Sequence, residues 1–176
     1  MIIGSTREGR EGARIGRWFA DRARLRDELD VTVVDLADFA FPTAYPGTAT
    51  PPMTEFVEAV GRADGFVVVT PEYNHSFPAS LKQAIDYAYD EWQAKPVGFV
   101  SYGCRSVGMH AVDQLRTVFT ALHAVTLRDF VGHDLMDGAD ALDADGPAQA
   151  ARTLLDQLCW WGLTLREGRA ARPYVS

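Results

Sequence analysis

An α/β fold built on a doubly wound parallel sheet is predicted by three features of this 176-residue sequence. Short apolar runs rich in β-branched residues alternate with segments whose apolar residues recur every three or four positions, the order expected of βαβ units. The runs are apolar without clean alternation, as strands covered on both faces of a parallel sheet are. Glycine, proline and hydroxyl residues collect directly after three of these runs, where parallel strands hand over to helices.

Met1-Ile-Ile3 reads as the end of a first strand. Only three residues precede Gly4, fewer than a buried strand needs, so the natural start is expected upstream. A helix follows over 13–28, with Ile15, Trp18, Phe19 and Ala23 on one face. Val31 to Asp35 is the second strand, and the Pro-rich stretch from Phe41 to Pro52 is a loop. Phe56, Val57 and Val60 predict a helix over 53–63, and Gly65 to Thr70 the third strand. Leu81, Ile85 and Ala88 predict a helix over 79–90, and Val97 to Tyr102 the fourth strand. Val112, Leu115, Val118, Phe119 and Leu122 mark a helix over 108–122. Val125 to Leu127 with Phe130-Val131 supply the last strand, Gly132 to Gly146 a loop, and Leu154, Leu155, Leu158 and Trp161 a final helix over 147–165. Five strands joined by right-handed crossovers fit a single flavodoxin-like domain over 1–176, a three-layer α/β/α stack with strand order 2-1-3-4-5.

The 24 acidic residues outnumber the 17 Lys and Arg, leaving a net charge of -7. That balance argues against a general nucleic-acid or anionic-membrane binder, because phosphate neutralisation needs clustered cations. No apolar run approaches the roughly 18 residues of a membrane span, and the N-terminus lacks a secretory signal pattern. Cys104 and Cys159 are too few for a disulfide framework or a four-cysteine zinc site. A cytoplasmic protein is expected.

Open sheets of this kind bind ligands beyond the carboxyl ends of their strands. After the first strand comes Gly4-Ser-Thr-Arg-Glu-Gly-Arg-Glu-Gly12, leading into a helix. Hydroxyls, glycines and arginines at a helix N-terminus suit a phosphomonoester, with Ser5 and Thr6 as donors and Arg7 or Arg10 as charge. Neither the triphosphate P-loop ending nor the dinucleotide G-x-G-x-x-G pattern is present. After the third strand comes Thr70-Pro-Glu-Tyr-Asn-His-Ser-Phe-Pro78, in which Pro78 is placed to open the next helix and Ser76 to cap it. Tyr73 offers a flat face, while Asn74 and the loop amides offer hydrogen bonds, which suits a planar heterocycle with polar edges. After the fourth strand, Ser101-Tyr-Gly-Cys-Arg-Ser-Val-Gly108 is a Gly-rich turn that lets backbone come close to a ligand.

Taken together, Gly4-Ser-Thr-Arg7 with Arg10, Pro71-Glu-Tyr-Asn-His-Ser76 with Leu81-Lys-Gln-Ala-Ile-Asp86, and Ser101-Tyr-Gly103 resemble the NADPH-dependent FMN reductase family of flavodoxin-like proteins. The resemblance covers nearly the whole chain. It implies bound FMN, its phosphate at Ser5, Thr6, Arg7, Arg10 and Gly12. It places the ring against Pro71, Glu72, Tyr73, Asn74 and His75 and against Ser101, Tyr102 and Gly103. It also implies NADPH or NADH as electron donor, a small acceptor such as a quinone, azo compound or flavin, and a homodimer or homotetramer. The alternatives are a flavin reductase that supplies reduced FMN to a partner monooxygenase, and a non-enzymatic electron carrier. Ala79 departs from the glycine common in the family after Pro78, and the third turn is poorer in glycine than usual.

Histidines 75, 110, 123 and 133 show no H-x-x-x-H or Cys/His spacing, so no metal site is expected. His75 is placed to touch substrate or the flavin edge, or else to face solvent. Arg105 is a candidate for attracting pyridine-nucleotide phosphates, or a surface residue. Cys104 reads as a small packing residue and Cys159 as core. Trp160 and Trp161 read as core or subunit interface. Tyr87, Tyr89 and Trp92 form an aromatic cluster expected at a subunit interface, with Trp92 lining a neighbour's pocket. The six aspartates from Asp129 to Asp145 lack the ligand pattern of a calcium loop and read as solvated.

Overall fold

The computed structural model describes residues 1–175 and forms a single parallel sheet with helices on both faces. Its strands are β1 (Ile2–Ile3), β2 (Val34–Asp35), β3 (Phe66–Pro71), β4 (Pro96–Gly103), β5 (Val125–Thr126) and β6 (Val131–Asp134). They run in the order β2-β1-β3-β4, with β5 and β6 both paired to β4. The expected order 2-1-3-4-5 is therefore present, with the fifth strand in two pieces. Between them lie α1 (Gly12–Ala23), α2 (Pro51–Arg62), α3 (Ala79–Ile85), α4 (Met109–Ala121) and α5 (Asp145–Ala171).

Alternate residues of the strands feed two apolar layers, because successive side chains point to opposite faces. Val67, Val69 and Val100 meet Ile15, Phe19, Leu154 and Leu155 of α1 and α5. Phe66, Val68 and Phe99 meet Phe56 of α2, Leu81 and Ile85 of α3, and Leu115 and Phe119 of α4.

Element ends depart from the sequence expectation where a tertiary partner sets them. The expected strand 31–35 shortens to β2, because β1 offers only Ile2 and Ile3 for it to pair with. α1 stops at Ala23 rather than 28; Leu25 lies off its apolar face and is 83% exposed. The helix expected over 79–90 ends at Ile85, whose carbonyl accepts the Trp92 indole N–H at 3.1 Å. The chain unwinds there to bury Trp92 completely, among Phe56, Phe66 and Phe119. Trp92 is thus a keystone of the chain's own core, and the exposed aromatic cluster expected at an interface does not form. Tyr87 is buried too, against Phe41 and Tyr45, and only Tyr89 of the three stays exposed.

The break in the fifth strand also has a local cause. The Leu127 amide still donates to Val97 O, but Arg116 of α4 takes up the carbonyls of Leu127 and Arg128. The chain rejoins the sheet at Val131, so the stretch expected to be loop from Gly132 begins as β6 and then passes through short 3-10 turns. α5 is longer than expected at both ends. Lys95 closes the C-terminus of α2 by donating to the carbonyls of Val60 and Gly61, and burial lowers its pKa to about 8. A cavity of about 460 Å³ lies at the amino ends of the strands, between Met1, Val31, Gly65, Leu158 and Leu163, away from the loops that follow the strands' carboxyl ends.

Because Trp92 is buried and its N–H satisfied, Trp92→Ala is expected to cost about 3–5 kcal/mol of stability. A urea titration that leaves the unfolding midpoint unchanged would show that the indole does not hold the α3 side together.

Candidate functional site

Three connections meet at the carboxyl edge because the ladder delivers them there in register. The Gly4 amide donates to Val69 O, and Pro71 pairs with Tyr102. The turn 4–12, the loop 71–78 and the turn 103–108 consequently leave the sheet side by side.

The first turn is built around the N-terminus of α1. Glu11 precedes that helix without a side-chain cap, and its first turn holds no acidic residue. Its leading amides remain available to an anion. Ser5 is fully buried, and its hydroxyl lacks a hydrogen-bond partner among the described residues. A Cβ on Gly12 would fall 2.2 Å from Ser5 Oγ and 2.7 Å from Tyr102 Oη, so only glycine fits where the helix begins. Thr6 is exposed and donates to Ser80 Oγ at 3.3 Å. Arg7 is exposed and has no ion pair among the described residues.

Arg10 is engaged differently from Arg7. Its guanidinium grips Asp35 with two bonds of 2.7 and 2.6 Å and also donates to Ser5 O at 2.7 Å. Both side chains are only 16% exposed, and the pairing with Asp35 raises the pKa of Arg10. A bidentate pair of this kind fixes geometry as well as charge. Arg10 therefore closes the turn onto the end of β2, with its fork already occupied. Asp35 gave no signal in the sequence beyond standing at the end of a strand.

The second loop is folded by a tight reversal. The amides of Tyr73 and Ser76 each donate to the other's carbonyl, and Asn74 and His75 between them both have positive φ, 50° and 63°. Two left-handed residues in succession define a type I′ turn, which asparagine tolerates and histidine adopts at some strain. Ser76 is not the expected helix cap. Its hydroxyl donates to Gln114 of α4, and Pro78 occupies the cap position of α3. The Gln114 side chain in turn donates to His75 O at 2.7 Å, fastening the loop to α4. Tyr73 remains 37% exposed, its ring available at the edge.

Glu72 turns inward between loops. Its amide donates to Tyr102 O, and its carboxylate accepts from the Ser106 hydroxyl and the His110 amide. Ser101 is fully buried and donates to Val107 O, while Tyr102 is 3% exposed. These two residues thus present backbone rather than side chains to the edge. Gly103 and Gly108 permit the close approach, and a Cβ on Gly108 (φ +84°) would meet the Tyr102 amide at 2.8 Å. Arg105 and Val107 are also left-handed, and the Arg105 amide is held by Asp134.

Tyr102 and His133 are register partners on adjacent strands, so both side chains project onto the α1 face beneath the first turn. The Tyr102 hydroxyl and His133 Nε2 are buried without partners among the described residues. Burial pushes the Tyr102 phenol up to about 12, and burial followed by nearby Arg14 lowers the pKa of His133. Together with Ser5 they make a polar floor under the helix start, to which His133 contributes although no sequence spacing marks it.

Other expectations need revision. Cys104 is exposed in the third turn rather than packed, and Cys159 is only partly buried, its thiol facing Glu28. Of the two tryptophans expected in the core or at a subunit interface, Trp161 packs against the α1–α5 layer, while Trp160 is 60% exposed on α5. Glu72, His75 and His110 come together so that their ligand-type atoms all lie within 4.8 Å of one another, a grouping that spacing rules do not find.

The sequence profile of the NADPH-dependent FMN reductase family matches residues 1–135. An NAD(P)H-dependent FMN reductase of Schizosaccharomyces pombe is 33% identical over 156 residues, covering 79% of this chain and 78% of that protein. An FMN-dependent NADPH-azoreductase of Staphylococcus haemolyticus is 28% identical over 172 residues, or 90% of this chain and 91% of that one. Among solved structures, a flavoenzyme NAD(P)H:(acceptor) oxidoreductase from Paracoccus denitrificans superposes with a TM-score of 0.76. It is 16% identical over 93% of this chain and 95% of its own, a likeness of fold.

The Gly12 contacts give a direct test of the first turn. Gly12→Ala forces Ser5 or Tyr102 to move and is expected to cost about 1–3 kcal/mol, as overpacking does. A melting curve superimposable on that of the parent protein would show that the turn has slack at this point.

Proposed function

The chain belongs to the NADPH-dependent FMN reductase family, and from that premise we propose that it is an FMN-dependent NAD(P)H oxidoreductase reducing quinones, azo compounds or flavin. The observation that carries the site assignment is the first turn: an uncapped helix start over a buried, unpartnered Ser5 hydroxyl, with a glycine where any Cβ would collide. These groups fit a phosphomonoester. They supply amide donors and one hydroxyl already desolvated, packed against the glycine that starts the helix.

In this reading Ser5, Thr6, Arg7 and the amides from Gly12 hold the FMN phosphate. Arg10 acts by closing the turn through Asp35 and adds its charge to the local field. Pro71, Glu72, Tyr73, Asn74 and His75 form one wall for the ring, mainly through the reversed backbone and the Tyr73 face. Ser101, Tyr102 and Gly103 would offer main-chain groups beside it. Bound FMN supplies two-electron hydride chemistry, so the chain needs no nucleophile or general base of its own. Its task is to orient the ring and leave one face open to donor and acceptor in turn.

The same proposal takes residues 1–176 as a single domain, located in the cytoplasm and assembled as a homodimer or homotetramer. The free cysteines Cys104 and Cys159 suit a reducing compartment. Exposed Trp160 and Leu163, neighbours three residues apart on α5, support self-association, since adjoining large apolar side chains left in water mark contact surfaces.

Flavin absorbance of the FMN-loaded protein is expected to bleach on anaerobic addition of NADPH or NADH and to return when a quinone is added. Ser5→Ala combined with Arg7→Ala is expected to weaken FMN binding by about 1–3 kcal/mol, the scale of lost charge-assisted hydrogen bonds. Unchanged FMN affinity in that double variant would refute the phosphate assignment.

For the assembly, light scattering is expected to give at least twice the chain mass. A fully active monomer at working concentration would overturn that part of the proposal.

A further inference from the structure

We propose that Glu72, His75 and His110 form a binding site for one divalent transition cation of the zinc class. Their candidate ligand atoms lie within 4.8 Å of one another, although His110 stands 35 residues beyond His75 and on a different element. The two imidazole rings lie nearly parallel, with centroids 4.4 Å apart and planes 21° from each other. Ligand atoms around a tetrahedral zinc ion stand roughly 3.3 Å apart, given bonds of about 2.0–2.2 Å. Closing the remaining gap takes side-chain rotations of the two imidazoles, with the backbone already in place.

That backbone is held from both sides. His75 sits at the second left-handed position of the Tyr73–Ser76 reversal, and its carbonyl is tied to Gln114, one turn along α4 from His110. Glu72 is oriented by the Ser106 hydroxyl on one oxygen and the His110 amide on the other. Each carboxylate oxygen accepts one of these bonds and keeps a second lone pair for a cation. Outer hydrogen bonds of this sort fix and strengthen metal ligands.

Two nitrogens and one carboxylate oxygen, with no thiolate, match Zn²⁺, Co²⁺ or Ni²⁺ rather than the all-oxygen preference of Ca²⁺ and Mg²⁺. Three protein ligands leave the fourth position to water, as in an open rather than a closed zinc site. A cation here would clamp the 71–78 loop to the start of α4, fixing Glu72 and His75, which also belong to the proposed ring wall.

Co²⁺ titrated into the purified full-length protein at neutral pH is expected to bind at one ion per chain with visible ligand-field bands, and Zn²⁺ to displace it. His75→Ala and His110→Ala should each weaken binding at least about tenfold, judging from the 10–100-fold cost of losing even an outer partner. Cys104→Ser should leave it unchanged. Zn²⁺ should raise the melting temperature of the parent protein but not that of a folded His75→Ala/His110→Ala double variant. No stoichiometric Co²⁺ binding, binding retained in the double variant, or binding lost with Cys104 would each overturn the assignment.

Discussion

The parallel ladder from Phe66 opposite Val97 to Pro71 opposite Tyr102 fixes where every connection at the carboxyl edge begins. Six consecutive pairs, buried on both faces, leave no freedom to slip, since a one-residue shift would exchange the two apolar layers. The ladder ends with the Glu72 amide on Tyr102 O, and that last bond sets the second and third loops side by side. β1 joins the same register through Ile2 and Ile3, so the first turn emerges beside them. The strained backbone at Asn74, His75, Arg105 and Val107 is held by the order beneath it.

Polar groups complete what the apolar layers start. Glu72 joins two loops through Ser106 and His110, Gln114 joins the second loop to α4, and Arg10 joins the first turn to β2. Each tie spans many residues of sequence and is made by a side chain that composition alone would place on the surface. The edge thus combines open backbone amides with side chains whose main employment is holding that backbone still.

Much of this fold is legible in the sequence, for a physical reason. Strands covered on both faces leave uninterrupted apolar runs, so β3 and β4 were readable to within a residue or so of each end. Glycines were readable as close approaches because Gly12 and Gly108 stand at strand–helix junctions. Boundaries set by a distant partner were not: nothing near Ile85 announces that Trp92 will claim its carbonyl, and nothing near Leu127 announces Arg116. Trp92 looked like an exposed aromatic because its pocket is assembled from α2, β3 and α4. Arg10 looked like a free cation because its counter-charge is 25 residues away, and the grouping of Glu72 with two histidines is equally invisible to spacing.

The Arg10–Asp35 pair also has a kinetic meaning. Asp35 belongs to β2, an edge strand that pairs with the sheet through only two residues. Edge segments with few ladder bonds open more often than the centre of a sheet, on a free-energy scale below that of global unfolding. When β2 frays, Arg10 loses its carboxylate anchor, while its bond to Ser5 O is made within the turn itself. The turn's tie to the sheet is then only as lasting as the sheet's weakest margin.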